Sequence, residues 1–253
     1  MSASEPMILI HGAWQGSWVW DGFIAALEQR APGRRYIPIP VDLPGNGADG
    51  APPESASMES YLAYLDAIIA RQTGPFTLVA HSGGGVVASA LAERHPERVR
   101  CIVYIAAMML PSGMGFGKVV QRLLPQDPTA SGITPWLLWP VEKEVSVVPP
   151  EAAIAFFLQD YAPGLAVIAS RRFTPQGEQG RALTAQLTPE RYGTIPRLYV
   201  QATQDRSVTF ALQKLMCELA PGAAIRSVDT GHAPHVVAPD ILLDAMLPWL
   251  NTI

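Results

Sequence analysis

Short apolar runs alternate with amphipathic segments along this chain, and that alternation constrains the fold more than any other feature. The runs are brief, rich in β-branched residues and bounded by Gly, Pro or charged residues, which is typical of buried strands. They cover residues 7–11, 36–41, 76–80, 101–106, 197–201 and, more weakly, 224–228. Helix-like segments separate them, at residues 20–29, 58–72, 85–94, 210–219 and 239–250. The pattern predicts an α/β fold with a mostly parallel central sheet flanked by helices, and active-site groups at the carboxyl ends of its strands.

The interval from residue 111 to residue 196 breaks the alternation. It contains no convincing buried strand and is rich in proline, glycine and aromatic residues. A long insertion of this kind is rarely an idle loop, so we expect a helical cap inserted into a core made of residues 1–110 and 197–253. An extra helical layer of the core is the alternative. An apolar substrate pocket is expected beneath it. The side chains expected to line that pocket are Trp14, Met108, Trp136, Trp139, Phe156 and Phe157.

Composition and charge narrow the range of partners. The formal net charge is −4 and no basic run occurs, which argues against nucleic acid and against an anionic membrane surface. Two cysteines in 253 residues give no disulfide framework, and no segment reaches the roughly 18 uninterrupted apolar residues of a membrane span. A chain of this length can be stable without a metal. We expect a soluble cytoplasmic protein that acts on a small molecule without a cofactor. Whether it forms a homodimer is left open.

Residues 80–84, with the sequence AHSGG, carry the most informative local motif. They follow a predicted strand and open a predicted helix, which is the context of the nucleophile elbow G-x-S-x-G, with Ala80 in place of the first glycine. A serine on so sharp a turn is strained, and bulky side chains two residues before or after it would collide, so Ala80 and Gly84 fit. The motif predicts Ser82 as a nucleophile, with an ordinary glycine-rich turn as the alternative.

The loop that begins at His11 follows the first strong strand. Acyl transfer needs two N–H groups aimed at the developing oxyanion. A flexible His-Gly loop beside the elbow can supply one, and the residue after the nucleophile can supply the other. We therefore assign Ala13 and Gly83 to an oxyanion hole. The His11 side chain is expected to tie the loop down rather than to react.

We expect Asp205 and His232 to complete a catalytic triad with Ser82. Asp205 lies a few residues past the run 197–201, and His232 lies just past the last predicted strand. The serine needs a base to become nucleophilic, and the base needs a carboxylate to fix its tautomer and to stabilise its charged form. Ser, then Asp, then His is the chain order of α/β-hydrolases.

Two nearby residues compete for these roles. His235 competes with His232 for the base, and Asp229 competes with Asp205 for the acid. We favour His232 because it comes first after the strand, on a glycine-flanked loop, and Asp205 because it follows the preceding strand. The two histidines do not predict a metal site, since no further His or Cys lies at ligand spacing.

At these residues the chain resembles the α/β-hydrolase superfamily. More narrowly, it resembles the esterase and hydroxynitrile-lyase branch that includes plant methylesterases and bacterial carboxylesterases. The resemblance covers nearly the whole chain and is carried most by residues 9–20, LIHGAWQGSWVW. Residues 231–235, GHAPH, are similar to the catalytic-histidine loop of many bacterial esterases. The resemblance implies the α/β-hydrolase fold, and it implies that His232 is the base.

The resemblance also implies a class of reaction. Hydroxynitrile lyases carry a threonine after the first histidine and a lysine after the catalytic histidine, whereas Gly12 and Ala233 stand at those places here. The cation that handles a cyanohydrin is therefore missing. We expect a serine carboxylesterase that hydrolyses small, uncharged, fairly hydrophobic esters through an acyl-enzyme. Lactonase or hydroxynitrile-lyase-type activity and a non-catalytic ligand-binding homologue are the alternatives.

Overall fold

A six-stranded parallel sheet forms the centre of the protein. The computed structural model describes residues 5–30, 36–141 and 143–253, so residues 1–4 and 31–35 of the expected core and residue 142 of the expected cap lie outside it. The strands are β1 (Glu5–Ile10), β2 (Tyr36–Pro40), β3 (Phe76–His81), β4 (Val99–Ile105), β8 (Arg197–Ala202) and β9 (Ala224–Val228). They lie in the order β2-β1-β3-β4-β8-β9, with every neighbouring pair parallel. All six predicted strands are thus present.

Helices cover both faces of this sheet. One face carries α1 (Asp21–Arg30), the short α8 (Pro234–Val237) and α9 (Pro239–Leu250). The other face carries α2 (Met58–Ile69), α3 (Gly84–Arg94) and α7 (Phe210–Leu219). Ile8 and Ile10 of β1 point into one apolar layer, and Met7 and Leu9 point into the other, as the two-residue period of a strand requires. The predicted α/β architecture is confirmed. In the part of the chain that the structure describes, no helix is long and apolar enough to cross a membrane.

Residues 111–196, the cap segment, lie between β4 and β8. They contain α4 (Phe116–Leu123), α5 (Pro150–Phe156) and α6 (Pro163–Ser170), and an antiparallel sheet of β5 (Leu138–Val141), β6 (Val145–Val147) and β7 (Gln176–Gly177). This second sheet corrects the expectation of a purely helical cap. Its strands are two to four residues long, and β5 carries Pro140 and is largely exposed, so neither length nor alternation marks them in the sequence. The division of the chain into core and cap stays a prediction.

The cap segment packs against the loop that follows β1. An apolar cluster joins Trp14 of that loop to Phe157 and Leu158 of the cap segment. The Trp14 backbone N–H donates to Gln176 Oε1 at 3.2 Å, and its indole Nε1–H donates to Ser146 Oγ at 3.0 Å. The cap segment therefore lies beside the carboxyl end of β1, where the loop with the HGAW sequence begins.

Candidate active site

Ser82 occupies a strained turn between β3 and α3. Its φ of 51° lies in the left-handed region that residues other than glycine rarely adopt. The Ser82 N–H donates to the Ile105 carbonyl at 3.3 Å, and the Ser82 carbonyl accepts from the Met108 N–H at 2.9 Å. Strain of this kind persists only where the surrounding structure enforces it, and β4 and the residues after it supply that support. The geometry is that of a nucleophile elbow.

Two glycines leave room for this turn. A Cβ at Gly84 would lie 2.5 Å from the His11 carbonyl oxygen, and a Cβ at Gly12 would lie 2.8 Å from Ser82 Cβ. Neither glycine has a positive φ, so close approach, and not backbone conformation, requires the missing side chain. A larger residue at position 84 would push α3 away from the end of β1.

The loop after β1 presents the free amide of Ala13 beside the elbow. The N–H groups of Gly12 and Trp14 each donate to the side-chain oxygen of a glutamine, both at 3.2 Å. The N–H groups of Ala13 and Gly83 have no hydrogen-bond partner among the described residues. A Cβ built on Gly83 would lie 3.9 Å from Ala13 N, so these two residues lie close together. Two free N–H groups beside a serine are what an oxyanion hole requires.

His11 holds this loop in place, as expected. Its Nδ1–H donates to the Gly12 carbonyl at 2.7 Å, and its Nε2 accepts from the Leu43 N–H at 3.1 Å. Burial lowers the pKa of His11 below its ordinary value, which favours the neutral ring that these two contacts need. The side chain thus links β1 to the loop after β2.

Asp205 and His232 meet although 27 positions separate them. Asp205 follows β8 and His232 follows β9. The His232 Nδ1–H donates to Asp205 Oδ2 at 2.7 Å, and both side chains are buried. An ionised carboxylate only accepts, so this bond fixes the proton on Nδ1 and leaves Nε2 as the basic atom. No hydrogen bond joins His232 to the Ser82 hydroxyl among the described residues; such bonds often tighten only when substrate binds.

The Asp205 carboxylate receives four donors. Oδ1 accepts from the N–H groups of Ser207 at 2.7 Å and Val208 at 2.9 Å, and Oδ2 accepts from Gln213 Nε2 at 3.1 Å as well as from His232. Burial raises the pKa of Asp205 above its ordinary value, while the charge and hydrogen bond of His232 and the two backbone N–H groups oppose that rise. These donors favour the ionised form and fix its orientation.

His232 belongs to a chain of stacked and tilted aromatic rings. Its ring centroid lies 5.2 Å from that of Phe157 and 4.5 Å from that of His81. The contacts continue from His81 to His235 at 4.3 Å, and from His235 to Trp20 at 4.5 Å. Burial, reinforced by the neighbouring histidines, lowers the pKa of His81 and of His235 well below the ordinary value. Both rings are therefore neutral at neutral pH.

His81, directly before the nucleophile, connects three loops. Its Nδ1 lies 3.0 Å from Gln15 Oε1, and its Nε2 lies 2.9 Å from the His232 carbonyl oxygen. A neutral ring carries a single N–H, so it donates to one of these oxygens at a time. Through these contacts the elbow is tied both to the loop after β1 and to the loop of the candidate base.

The structure places the two competing residues elsewhere. Both ring nitrogens of His235 are buried and have no partner among the described residues. Asp229 is exposed and accepts from Thr203 Oγ1 at 2.9 Å and from Gln204 Nε2 at 2.8 Å. The hydrogen bond from Gln204 has the largest effect and that from Thr203 the next, and both lower the pKa of Asp229 below its ordinary value. Asp229 therefore links the loop after β8 to the loop after β9. The geometry favours Asp205 as the acid and His232 as the base.

A cavity with about 640 Å³ of empty space, its open mouth included, lies over Ser82. Its apolar wall includes Leu43, Val87, Phe116, Ile133, Leu183 and Val208, and its polar wall includes Asn46, Tyr61, Gln176, Thr134, Arg181 and Ser207. The Arg181 guanidinium is paired, because its Nε and Nη2 each donate to Glu178 at 2.7 Å. A mainly apolar cleft with a few polar groups beside Ser82 suits a small organic ligand.

The structure brings two of the six residues expected in the pocket to the cavity over Ser82. Trp14 and Met108 line the cavity. The four cap aromatics do not line its described wall; they are Trp136, Trp139, Phe156 and Phe157. Trp136 is 58% exposed and packs on Phe156 at the surface. Phe157 is buried against the rings of Trp14 and His232. Aromatic content indicated a covering segment, but the direction in which each ring points depends on tertiary packing.

Three polar side chains that the sequence did not single out form a closed ring of hydrogen bonds at the cavity wall. Tyr61 O–H donates to Asn46 Oδ1 at 2.9 Å, Asn46 Nδ2 donates to Gln176 Oε1 at 2.9 Å, and Gln176 Nε2 donates to Tyr61 Oη at 3.3 Å. Burial raises the pKa of Tyr61 to about 12, so the phenol stays uncharged. The ring joins α2, the loop after β2 and the cap segment, and no local sequence pattern marks it.

Comparison with known proteins shows the family of the chain. A family model described as the alpha/beta hydrolase family matches residues 7–245. The chain is similar to pyrethroid hydrolase of Sphingobium wenxiniae, with 31% identity over 97% of this chain and 87% of that protein. It is also similar to esterase PIR7B of Oryza sativa subsp. japonica, with 26% identity over 99% of this chain and 97% of that protein.

Two solved structures share the fold. A pyrethroid hydrolase from Sphingobium faniae has a TM-score of 0.82 and 28% identity, over 98% of both chains. Polyneuridine aldehyde esterase has a TM-score of 0.83 over 98% of this chain and 99% of that one. At 19% identity the second likeness shows the fold alone.

Proposed function

The chain belongs to the alpha/beta hydrolase family, and we propose that it is a serine carboxylesterase with a Ser82, His232 and Asp205 triad. In this proposal the Ala13 and Gly83 N–H groups form the oxyanion hole. The observation that carries the proposal is the His232–Asp205 hydrogen bond on loops beside the strained Ser82 turn. Relatives named esterase and pyrethroid hydrolase support ester hydrolysis. A cytoplasmic location and a homodimeric state stay predictions.

The proposed reaction has two halves. Ser82 Oγ attacks the ester carbonyl while His232 Nε2 takes its proton, and the two free N–H groups stabilise the tetrahedral oxyanion. His232 then gives that proton to the departing alcohol, which leaves an acyl-enzyme on Ser82. Water, activated by the same nitrogen, releases the acid. Asp205 keeps the proton on Nδ1 and stabilises the imidazolium in both halves.

Small, uncharged esters fit the cavity best. Its wall is largely aliphatic and aromatic, and its one charged side chain among the described lining residues, Arg181, is already paired with Glu178. An anionic substrate would need to compete with Glu178 for the guanidinium, and it would lose water without gaining a free counter-charge. We therefore assign a preference for neutral acyl and alcohol groups.

The test compares a neutral ester with an anionic ester of similar size, p-nitrophenyl butyrate and mono-p-nitrophenyl succinate. We expect the wild type to favour the butyrate in kcat/KM. Glu178→Gln removes the counter-charge of Arg181 and should narrow that preference. Glu151→Gln changes an exposed cap carboxylate on α5 and should not. A wild-type preference for the succinate would contradict the substrate assignment. If neither ester reacts and mandelonitrile releases cyanide, the lyase alternative replaces the esterase.

A further inference from the structure

The segment that follows α5 reaches the loops of both the acid and the base. Gln159 Nε2 donates at 2.9 Å to the carbonyl of Gln204, the residue before the acid. Asp160 Oδ2 accepts from the N–H of Gly231, the residue before the base. Phe157 places its ring 5.2 Å, between centroids, from the ring of the base itself. These three residues of the cap segment, Phe157, Gln159 and Asp160, form what we term the cap clamp.

The space around Gly231 is a second observation that supports this contact. A Cβ at Gly231 would lie 2.9 Å from Gln159 Cδ and 3.0 Å from Asp160 Oδ2. Gly231 does not have a positive φ, so its backbone conformation does not require glycine. A Cβ at this position would instead force the side chains of Gln159 and Asp160 to shift. The glycine of the GHAPH motif therefore suits the close packing of the cap clamp.

The acid loop and the base loop also meet each other at this point. The Gln204 N–H donates to the Thr230 carbonyl at 2.9 Å, while the Gln204 carbonyl accepts from Gln159. The peptide groups around Gln204 are therefore held by the base loop on one side and by the cap segment on the other. The three segments form a junction directly before Asp205 and His232.

We propose that the cap clamp positions the acid–base pair, and that the α5 end of the cap segment is a fixed part of the active site and not a lid that opens. The proposal rests on the proposed function, in which Asp205 and His232 are the acid and the base. If α5 moved away, both loops would lose a hydrogen-bond partner and His232 would lose its contact with Phe157. A misplacement of 1 Å can cost about 10²-fold in rate.

A fixed α5 end implies that substrate reaches Ser82 by another route. None of the three cap-clamp residues lines the described wall of the cavity. They therefore act by holding the base and acid loops in place, and they do not contact the substrate. Removing a clamp hydrogen bond should consequently lower kcat and leave KM nearly unchanged, which separates positioning from substrate binding.

The test compares Asp160→Ala, Asp160→Asn and Asp127→Ala. Asparagine keeps an oxygen acceptor for the Gly231 N–H, and alanine removes it. Asp127 is the matched control, because it is another cap carboxylate that accepts a backbone N–H, from Thr129 at 3.0 Å. With p-nitrophenyl butyrate we expect Asp160→Ala to lower kcat about 10- to 100-fold, with KM changed less than about twofold. Asp160→Asn and Asp127→Ala should stay within about threefold of wild type.

A second readout does not depend on turnover. The His232 Nδ1–H that donates to Asp205 should give a proton NMR signal far downfield of the amides, identified by its loss in His232→Ala. We expect that signal to shift or broaden in folded Asp160→Ala and to persist in Asp160→Asn. If wild type hydrolyses no ester, the esterase proposal fails while this signal still tests the clamp. Should Asp160→Ala not fold, Gln159→Ala takes its place in both measurements.

Two outcomes would overturn the proposal. One is a folded Asp160→Ala protein with wild-type kcat and an unchanged Nδ1–H signal. The other is an equal loss of kcat in Asp160→Asn and Asp160→Ala, because the asparagine retains the acceptor. A loss confined to Asp160→Ala, with rescue by asparagine and an unaffected Asp127→Ala control, is the result that positioning requires.

Discussion

Replacing His235 with methionine should make the protein less sensitive to acid. The His235 ring is buried between Trp20 and His81, and neither ring nitrogen has a partner among the described residues. Burial, aided by His232, lowers its pKa well below 6.5. The ring therefore stays neutral in the folded protein over a range of pH in which the unfolded chain takes up a proton.

The sign and size of the effect follow from this difference in proton uptake. Below pH 6.5 the unfolded state binds more protons than the folded state, so the free energy of unfolding falls as the pH falls. With an unfolded pKa of 6.5, one ring that stays neutral when folded accounts for about 1 kcal/mol between pH 6 and pH 5. His11 and His81 act in the same direction, because burial lowers their pKa values too. His235→Met should remove about 1 kcal/mol of the combined loss.

Urea unfolding followed by circular dichroism at pH 7, 6 and 5 measures this difference directly. At pH 7 the variant should be at least as stable as wild type, because methionine fills a similar volume and removes two unpartnered polar atoms. Met246→Leu is the matched control, a fully buried apolar exchange in α9 that adds or removes no titrating group. If wild type and His235→Met lose the same free energy between pH 6 and pH 5, the reasoning is refuted.

Two further predictions concern the active site itself. Gly84→Ala should lower kcat about 100-fold, because its Cβ would meet a backbone carbonyl. Gly117→Ala on α4 is the control, because its Cβ would meet nothing within 4 Å, and it should raise the free energy of unfolding by about 0.5–1 kcal/mol. Steady-state kinetics and thermal melts are measured for both variants. Asp205→Asn should lower kcat about 10⁴-fold by favouring the wrong tautomer of the base, and Asp229→Asn, measured in the same assay, should not.

The central sheet could be predicted from the sequence because its strands are buried on both faces. Such strands are continuous apolar runs, for example residues 76–80 and 197–201, and they are visible without any knowledge of their neighbours. The elbow could be predicted for a similar reason: Ser82 and Gly84 lie in one short segment, and their constraints are local. Asp205 and His232 followed from strand order, since parallel strands bring their carboxyl ends to one edge.

The cap segment could not be predicted to the same depth. Trp136 and Phe157 look alike in the sequence, yet one is at the surface and the other lies against His232. Which ring is buried depends on the packing of short elements that carry no periodic pattern of their own. The ring formed by Tyr61, Asn46 and Gln176 joins positions up to 130 residues apart. Contacts of that kind are set by the fold and have no local signal.

Stopped-flow hydrolysis of p-nitrophenyl acetate tests the central claim most directly, because an acyl-enzyme on Ser82 releases p-nitrophenol before water regenerates the enzyme. Wild type, Ser82→Ala and His232→Ala are compared at equal concentration, with circular dichroism to show that each is folded. We expect wild type to give a burst of p-nitrophenol close to one equivalent of enzyme, or steady turnover. We expect neither in the two variants. Acylation or turnover that survives in folded Ser82→Ala would contradict it.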